Sequence, residues 1–95
     1  MQIRWLRKAL LNLDEALSYV AQDSPTTASN LMYRIQRSTQ QLKQQPALGR
    51  AGRVPGTREL IIPGTHYLIP YRIKGQEIQI LRVFHTAQLF PADIF

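Results

Sequence analysis

The chain has 95 residues, 44% of them hydrophobic and 19% charged, with no cysteine and a formal charge of +6. That length suits one domain with a thin core, and the missing thiols exclude disulfides and thiolate metal sites, as in a reducing compartment. No apolar run approaches the roughly 18–20 residues of a membrane span, and MQIRWLRKALLNL lacks the small-residue cleavage site of a secretory leader, so a cytoplasmic location away from membranes is expected.

In chain order, residues 1–5 hold a short candidate strand, QIRW. From Leu6 the apolar positions Leu6, Ala9, Leu10, Leu13, Ala16, Leu17 and Val20 recur with a helical period, which predicts a helix over 6–22. Asp23-Ser24-Pro25 then reads as a cap followed by proline at the first helical position. A second helix over 25–45 carries Ala28, Leu31, Met32, Ile35 and Leu42 on one stripe and must end before Pro46. So short a connection makes the two an antiparallel hairpin.

Residues 46–57 read as an irregular basic loop. Beyond it the period changes to two, and 58–85 reads as antiparallel strands. RELII (58–62) is a strand and Pro63-Gly64 a turn, while HYLIPYRIK (66–74) and EIQILRVF (77–84) flank the two-residue loop Gly75-Gln76. Pro70 marks a bulge or an edge. If that loop sets the register throughout, Tyr67 faces Phe84 and His66 faces His85. Both faces of this hairpin are apolar in the middle, so one is expected to be covered and the other partly occupied. The tail, 86–95, is expected to add a helical turn. The fold class is therefore α+β: a helix hairpin packed on a small antiparallel sheet, in a single domain.

Charge is unevenly placed. Residues 1–23 and 59–95 each balance, so the surplus lies in 24–58, which holds Arg34, Arg37, Lys43, Arg50, Arg53, Arg58 and no acid. Such a stripe attracts polyanions or an acidic protein. Metal sites are not expected, because His66 and His85 are the only histidines and neither has a carboxylate at ligand spacing. No phosphate-loop or dinucleotide glycine pattern occurs, nor a serine-nucleophile motif. The remaining candidates are cationic and aromatic: Arg50, Arg53, Arg58, Arg82, Tyr67, Tyr71, His66 and His85. Arginine forks bind phosphate, and tyrosine or histidine stacks on bases. His85 has the chemistry of an acid or base in metal-free RNA cleavage, with Arg82 or Arg58 holding the phosphate, or it is a polar strand end. Tyr67 and Tyr71 either contact a target or fill the sheet face, and Arg82, in an apolar strand, marks an ion pair or a site.

The order strand, helix hairpin, PALGRAGRVPGTREL (46–60), HYLIPYRI (66–73) and ILRVFHTAQLFP (80–91) resembles the RelE/ParE superfamily of toxins from bacterial toxin–antitoxin modules, over nearly the whole chain. The resemblance implies growth arrest, neutralisation by a cognate antitoxin with an acidic amphipathic tail, a hetero-oligomer with it, and no cofactor. RelE-like members cut mRNA on the ribosome, whereas ParE-like members poison DNA gyrase. The nuclease branch commonly has an arginine where Tyr67 or Leu68 stands here, and paired loop lysines for which Arg50 and Arg53 are the nearest cations. The strings HYLIPYRI and ILRVFH follow the ParE pattern without a gap, which favours gyrase as target over ribosome and message. A non-toxic nucleic-acid or protein adaptor is the third alternative.

Overall fold

A computed structural model describes residues 1–95. Strand β1 (Gln2–Trp5) leads into helices α1 (Arg7–Asp23) and α2 (Pro25–Gln41), followed by strands β2 (Arg50–Ala51), β3 (Arg58–Ile61), β4 (Tyr67–Lys74), β5 (Glu77–Ile80) and β6 (Phe84–His85). Ser24 alone separates the helices. Its hydroxyl accepts the Thr27 amide at 3.1 Å while Pro25 opens α2, so one residue both ends the first helix and caps the second. No helix is long and apolar enough to cross a membrane.

The sheet order is β1-β5-β4-β3-β2, with β6 also paired to β4. It is antiparallel except that β1 runs parallel to β5, from Gln2 opposite Glu77 to Trp5 opposite Ile80. The helix hairpin lies on one face. There Ala9, Leu13, Leu31, Ile35 and Leu42 meet Leu60, Ile69, Tyr71, Ile78 and Ile80 in one core cluster. Ile35 and Leu42 are wholly removed from water, and truncating such a side chain to alanine costs about 2–5 kcal/mol.

Three expectations are corrected. The first is the strand register. The two-residue loop holds it from Lys74–Glu77 to Tyr71–Ile80, but Tyr67 then pairs with His85 and Leu68 with Phe84. One extra residue is absorbed across Leu81, Arg82 and Val83. Pro70 explains the place: its carbonyl accepts the Leu81 amide at 2.9 Å, so its missing N–H falls on that same side, where the ladder lapses. His85 is thereby moved from the face of His66 to that of Tyr67.

Second, the basic loop is not wholly irregular. Arg50 and Ala51 pair with Glu59 and Arg58, so Arg58 does not sit on an open strand edge. Third, the tail makes one tight turn, with the Gln88 amide on the His85 carbonyl at 2.9 Å, and then runs on without helix. It crosses the sheet face opposite the helices, where the Phe90 ring lies 4.9 Å from that of Phe84 and Ile94 is 3% exposed. Arg53 stacks on Phe90 and Arg72 on Phe95, while Lys8 bonds the Asp93 carboxylate at 2.7 Å. The second apolar face is therefore covered by the chain itself.

Candidate functional site

The arginines picked out by sequence are held by protein groups. Glu59 is 1% exposed, and its Oε1 accepts from Arg50 Nη2 at 3.0 Å and Nε at 3.3 Å. Its Oε2 accepts the Arg53 backbone amide at 3.0 Å, with the Arg53 guanidinium 3.5 Å away. A carboxylate this deep requires such partners, so Glu59 holds one side of both arginines while about half of each side chain stays open to water. Arg58 donates to the carbonyls of Gly49 at 2.8 Å and Ala47 at 3.3 Å, closing the loop that follows α2. Arg82 donates Nε to Asn12 Oδ1 at 2.8 Å and Nη1 to the Asp93 carbonyl at 3.1 Å, with Phe84 under its plane, so it ties the bulge to α1 and to the tail.

Tyr71 also serves the loop. Its ring is buried, and its phenol accepts the Gly49 amide at 2.8 Å and donates to the Pro46 carbonyl at 2.7 Å. Burial pushes its pKa upward, against the lowering effects of the Gly49 amide and the nearby Arg58.

Only the start of β4 and the end of β6 bring candidate groups together in the open. Gly64 makes the return into β4 with φ of +73°, and a Cβ there would lie 2.9 Å from Arg34 Nη1. Arg34 reaches across from α2 to donate to the Pro63 carbonyl at 3.1 Å. The Thr86 amide bonds the His66 carbonyl at 2.8 Å, which holds the His66 and His85 rings 5.8 Å apart. His85 meets Tyr67 edge to face at 5.4 Å. The Tyr67 phenol is shifted up in pKa, chiefly by burial and secondarily by Tyr19, whose phenol it neighbours.

Two clefts open beside this group and share Tyr19, Tyr67 and His85 as walls. The larger, about 430 Å³, extends to Arg34, His66 and Asn30 and has no carboxylate in its lining. The smaller, about 280 Å³, extends to Asn12, Glu15 and Gln88. Of the eight side chains proposed from sequence, Tyr67, His66 and His85 thus meet, while Arg50, Arg53, Arg58, Tyr71 and Arg82 lie outside these clefts, each with a partner in the protein. Tyr19 and Arg34 were not singled out as site residues. Tyr19 lies off the apolar stripe of α1, and Arg34 stood out only as part of the basic segment; no local motif marks either.

His85 has a restricted chemistry. Its Nδ1 accepts the Ala87 amide at 3.1 Å, so in the neutral ring the proton belongs on Nε2. The ring then offers its surroundings a donor, not a base. No group of three or more histidine, cysteine or acidic side chains is arranged to hold a metal ion.

Two amphipathic helices laid across one face of a five-strand-wide, mostly antiparallel sheet are the architecture of the RelE/ParE toxins. The solved chromosomal ParDE toxin–antitoxin system of Pseudomonas aeruginosa includes a chain that superposes with a TM-score of 0.80 at 35% identity, covering 90% of this chain and 95% of that one. The RelBE2 toxin–antitoxin complex of Mycobacterium tuberculosis shares the fold at a TM-score of 0.62 and 24% identity, over 88% and 95% of the two chains. Among curated sequences, "Putative toxin Y4kP" of Sinorhizobium fredii is 41% identical over 95% of this chain and 93% of its own length. Residues 3–90 match the family described as the ParE toxin of the type II toxin–antitoxin system parDE. The chain belongs to the ParE toxin family.

Proposed function

We propose that this chain is the growth-arresting member of a toxin–antitoxin pair, that a cognate antitoxin covers it, and that it acts by binding DNA gyrase rather than by cutting message. The observation that carries the binding mode is at His85. His85 uses Nδ1 to accept a backbone amide, and Arg58 and Arg82 donate to oxygens of the protein itself. Metal-free RNA cleavage needs a base, an acid and cations around one phosphate; here the neutral His85 ring offers a donor rather than a base, and Arg58 is committed to the loop after α2. What supports gyrase as the target is the resemblance of the strands HYLIPYRI and ILRVFH to the ParE-like branch.

An antitoxin has a natural seat on the helix hairpin. A shallow groove of about 380 Å³ runs between α1 and α2 beside Leu17, Ala21, Ala28 and Met32. An amphipathic antitoxin helix with acidic flanks matches that groove and the net positive charge. The deciding experiment sets two assays side by side with the purified toxin: gyrase supercoiling and cleavage of message on translating ribosomes. Loss of supercoiling with intact message is expected, with His85→Ala still toxic. Cleaved message ends, or supercoiling unaffected by excess toxin, would overturn the reading.

A further inference from the structure

We infer that the paired clefts around Tyr19, Tyr67 and His85 form a binding site for one nucleoside monophosphate unit whose base carries an exocyclic amino group. This site is separate from the groove on the helix hairpin, and it does not depend on gyrase being the target.

The shared walls are rings. Tyr19 is 70% exposed, Tyr67 is half-buried, and the edge-to-face contact with His85 fixes the Tyr67 plane. A large exposed tyrosine beside a second, immobilised one leaves π-surface available for a planar ligand, and such stacking tolerates any base. The two ends differ in charge. At the wider end Arg34 uses one N–H on the Pro63 carbonyl and keeps others of its five for a ligand, with His66 and Asn30 beside it and no acid to compete. That end suits a phosphate dianion.

At the narrower end the Glu15 carboxylate is a pure acceptor. Asn12 has its Oδ1 occupied by the Arg82 Nε and the Val83 amide, and Gln88 has its Oε1 occupied by the His85 amide. Both side-chain amides therefore present N–H₂ groups, so this end offers an acceptor next to donors. Adenine, cytosine and guanine supply an amino donor beside ring or carbonyl acceptors, whereas uracil and thymine place a carbonyl where the amino group would be. Cleft volumes of about 280 and 430 Å³ are on the scale of small-ligand pockets.

The test is a titration of the full toxin chain with 5′-AMP, adenosine, 5′-UMP, inorganic phosphate and a single-stranded adenosine trimer, followed through the ring signals of Tyr19, Tyr67, His66 and His85 by NMR. AMP should move all four rings and bind more tightly than UMP or adenosine. Tyr19→Ala, an exposed and structurally tolerant change, should weaken AMP about tenfold. Arg34→Ala should bring AMP down to the level of adenosine, and Glu15→Gln should narrow the gap between AMP and UMP. A trimer tighter than AMP assigns the unit to a strand, and equal affinities assign it to a free nucleotide. The proposal is overturned if no ring signal moves, if phosphate alone reproduces the shifts, or if Tyr19→Ala leaves AMP binding unchanged. Gyrase inhibition measured on the same variants reports on the target separately.

Discussion

The Tyr71 phenol sits between the Gly49 amide and the Pro46 carbonyl, at 2.8 and 2.7 Å, and so nails the loop after α2 to the centre of the sheet. The contact is close enough that a side chain on Gly49 would collide with the Tyr71 ring, at 2.6 Å. Tyr71→Phe keeps the ring but strands a buried N–H, which should cost about 1–3 kcal/mol in chemical denaturation. The change should also alter the alkaline limb of stability. The Tyr71 pKa is raised above the ordinary phenol value of 10.0, so its contribution is complete below pH 10.0 and is lost as pH climbs through the higher folded-state value. Tyr67 is raised in the same sense, so the variant should lose part of the alkaline decline and not all of it.

Glu59 and its two arginines should behave as one unit. Removing Arg50 and Arg53 together leaves a carboxylate at 1% exposure with its cationic partners gone, and a cost of about 3–5 kcal/mol is expected from such an uncompensated buried charge. Adding Glu59→Gln to that double variant should recover stability rather than lose more, because the charge itself is then removed. Urea midpoints of the four proteins form the cycle; strict additivity would show that the cluster is not coupled.

The tail should be separable from the rest of the fold. Phe90→Ala removes the partner of both Phe84 and Arg53, which should expose apolar surface on the second sheet face and raise dye binding while α1 and α2 remain formed. Acid should have a related effect. The Asp93 carboxyl is held below its ordinary value by the hydrogen bond from Lys8, so its contribution is present above that value and disappears as pH falls through the lowered one. The Ile94 side chain should therefore lose its burial in strong acid in the native protein, read from its methyl NMR shifts, and that acid dependence should be weaker in Lys8→Ala.

Gly64→Ala should destabilise by about 1 kcal/mol or more, since φ is +73° and the new methyl meets Arg34. The same change should displace the guanidinium from the Pro63 carbonyl. An Arg34→Ala, Gly64→Ala pair should then lose less than the sum of the singles in thermal melts.

The helices and the hairpin loop were legible because each rests on local rules: a 3.6-residue stripe, Ser24-Pro25 as a cap, and a two-residue turn. The slip at Leu81–Val83 was not, although Pro70 announced some irregularity. Where an extra residue is absorbed depends on which neighbour proline faces, and that is a tertiary fact. The partners of the arginines were hidden for a similar reason. Counting charge along 24–58 stops one residue short of Glu59, the acid that binds Arg50 and Arg53 from the next strand. The tail was illegible because Phe90, Ile94 and Phe95 find partners only once the sheet exists. Tyr67 and His85 could be named as candidates, but their meeting with Tyr19 and Arg34 depends on how the hairpin lies on the sheet.

The parallel pairing of Gln2–Trp5 with Glu77–Ile80 has a consequence in time. Strand β1 must wait for β5, which follows it by more than seventy residues, before it has a neighbour. Until then Ile3 and Trp5 lack their sheet partners, and closure across so long a loop is slow. Any chain lacking Glu77–Ile80 leaves the N-terminal strand without its place in the sheet, so the two ends of the fold close together or not at all.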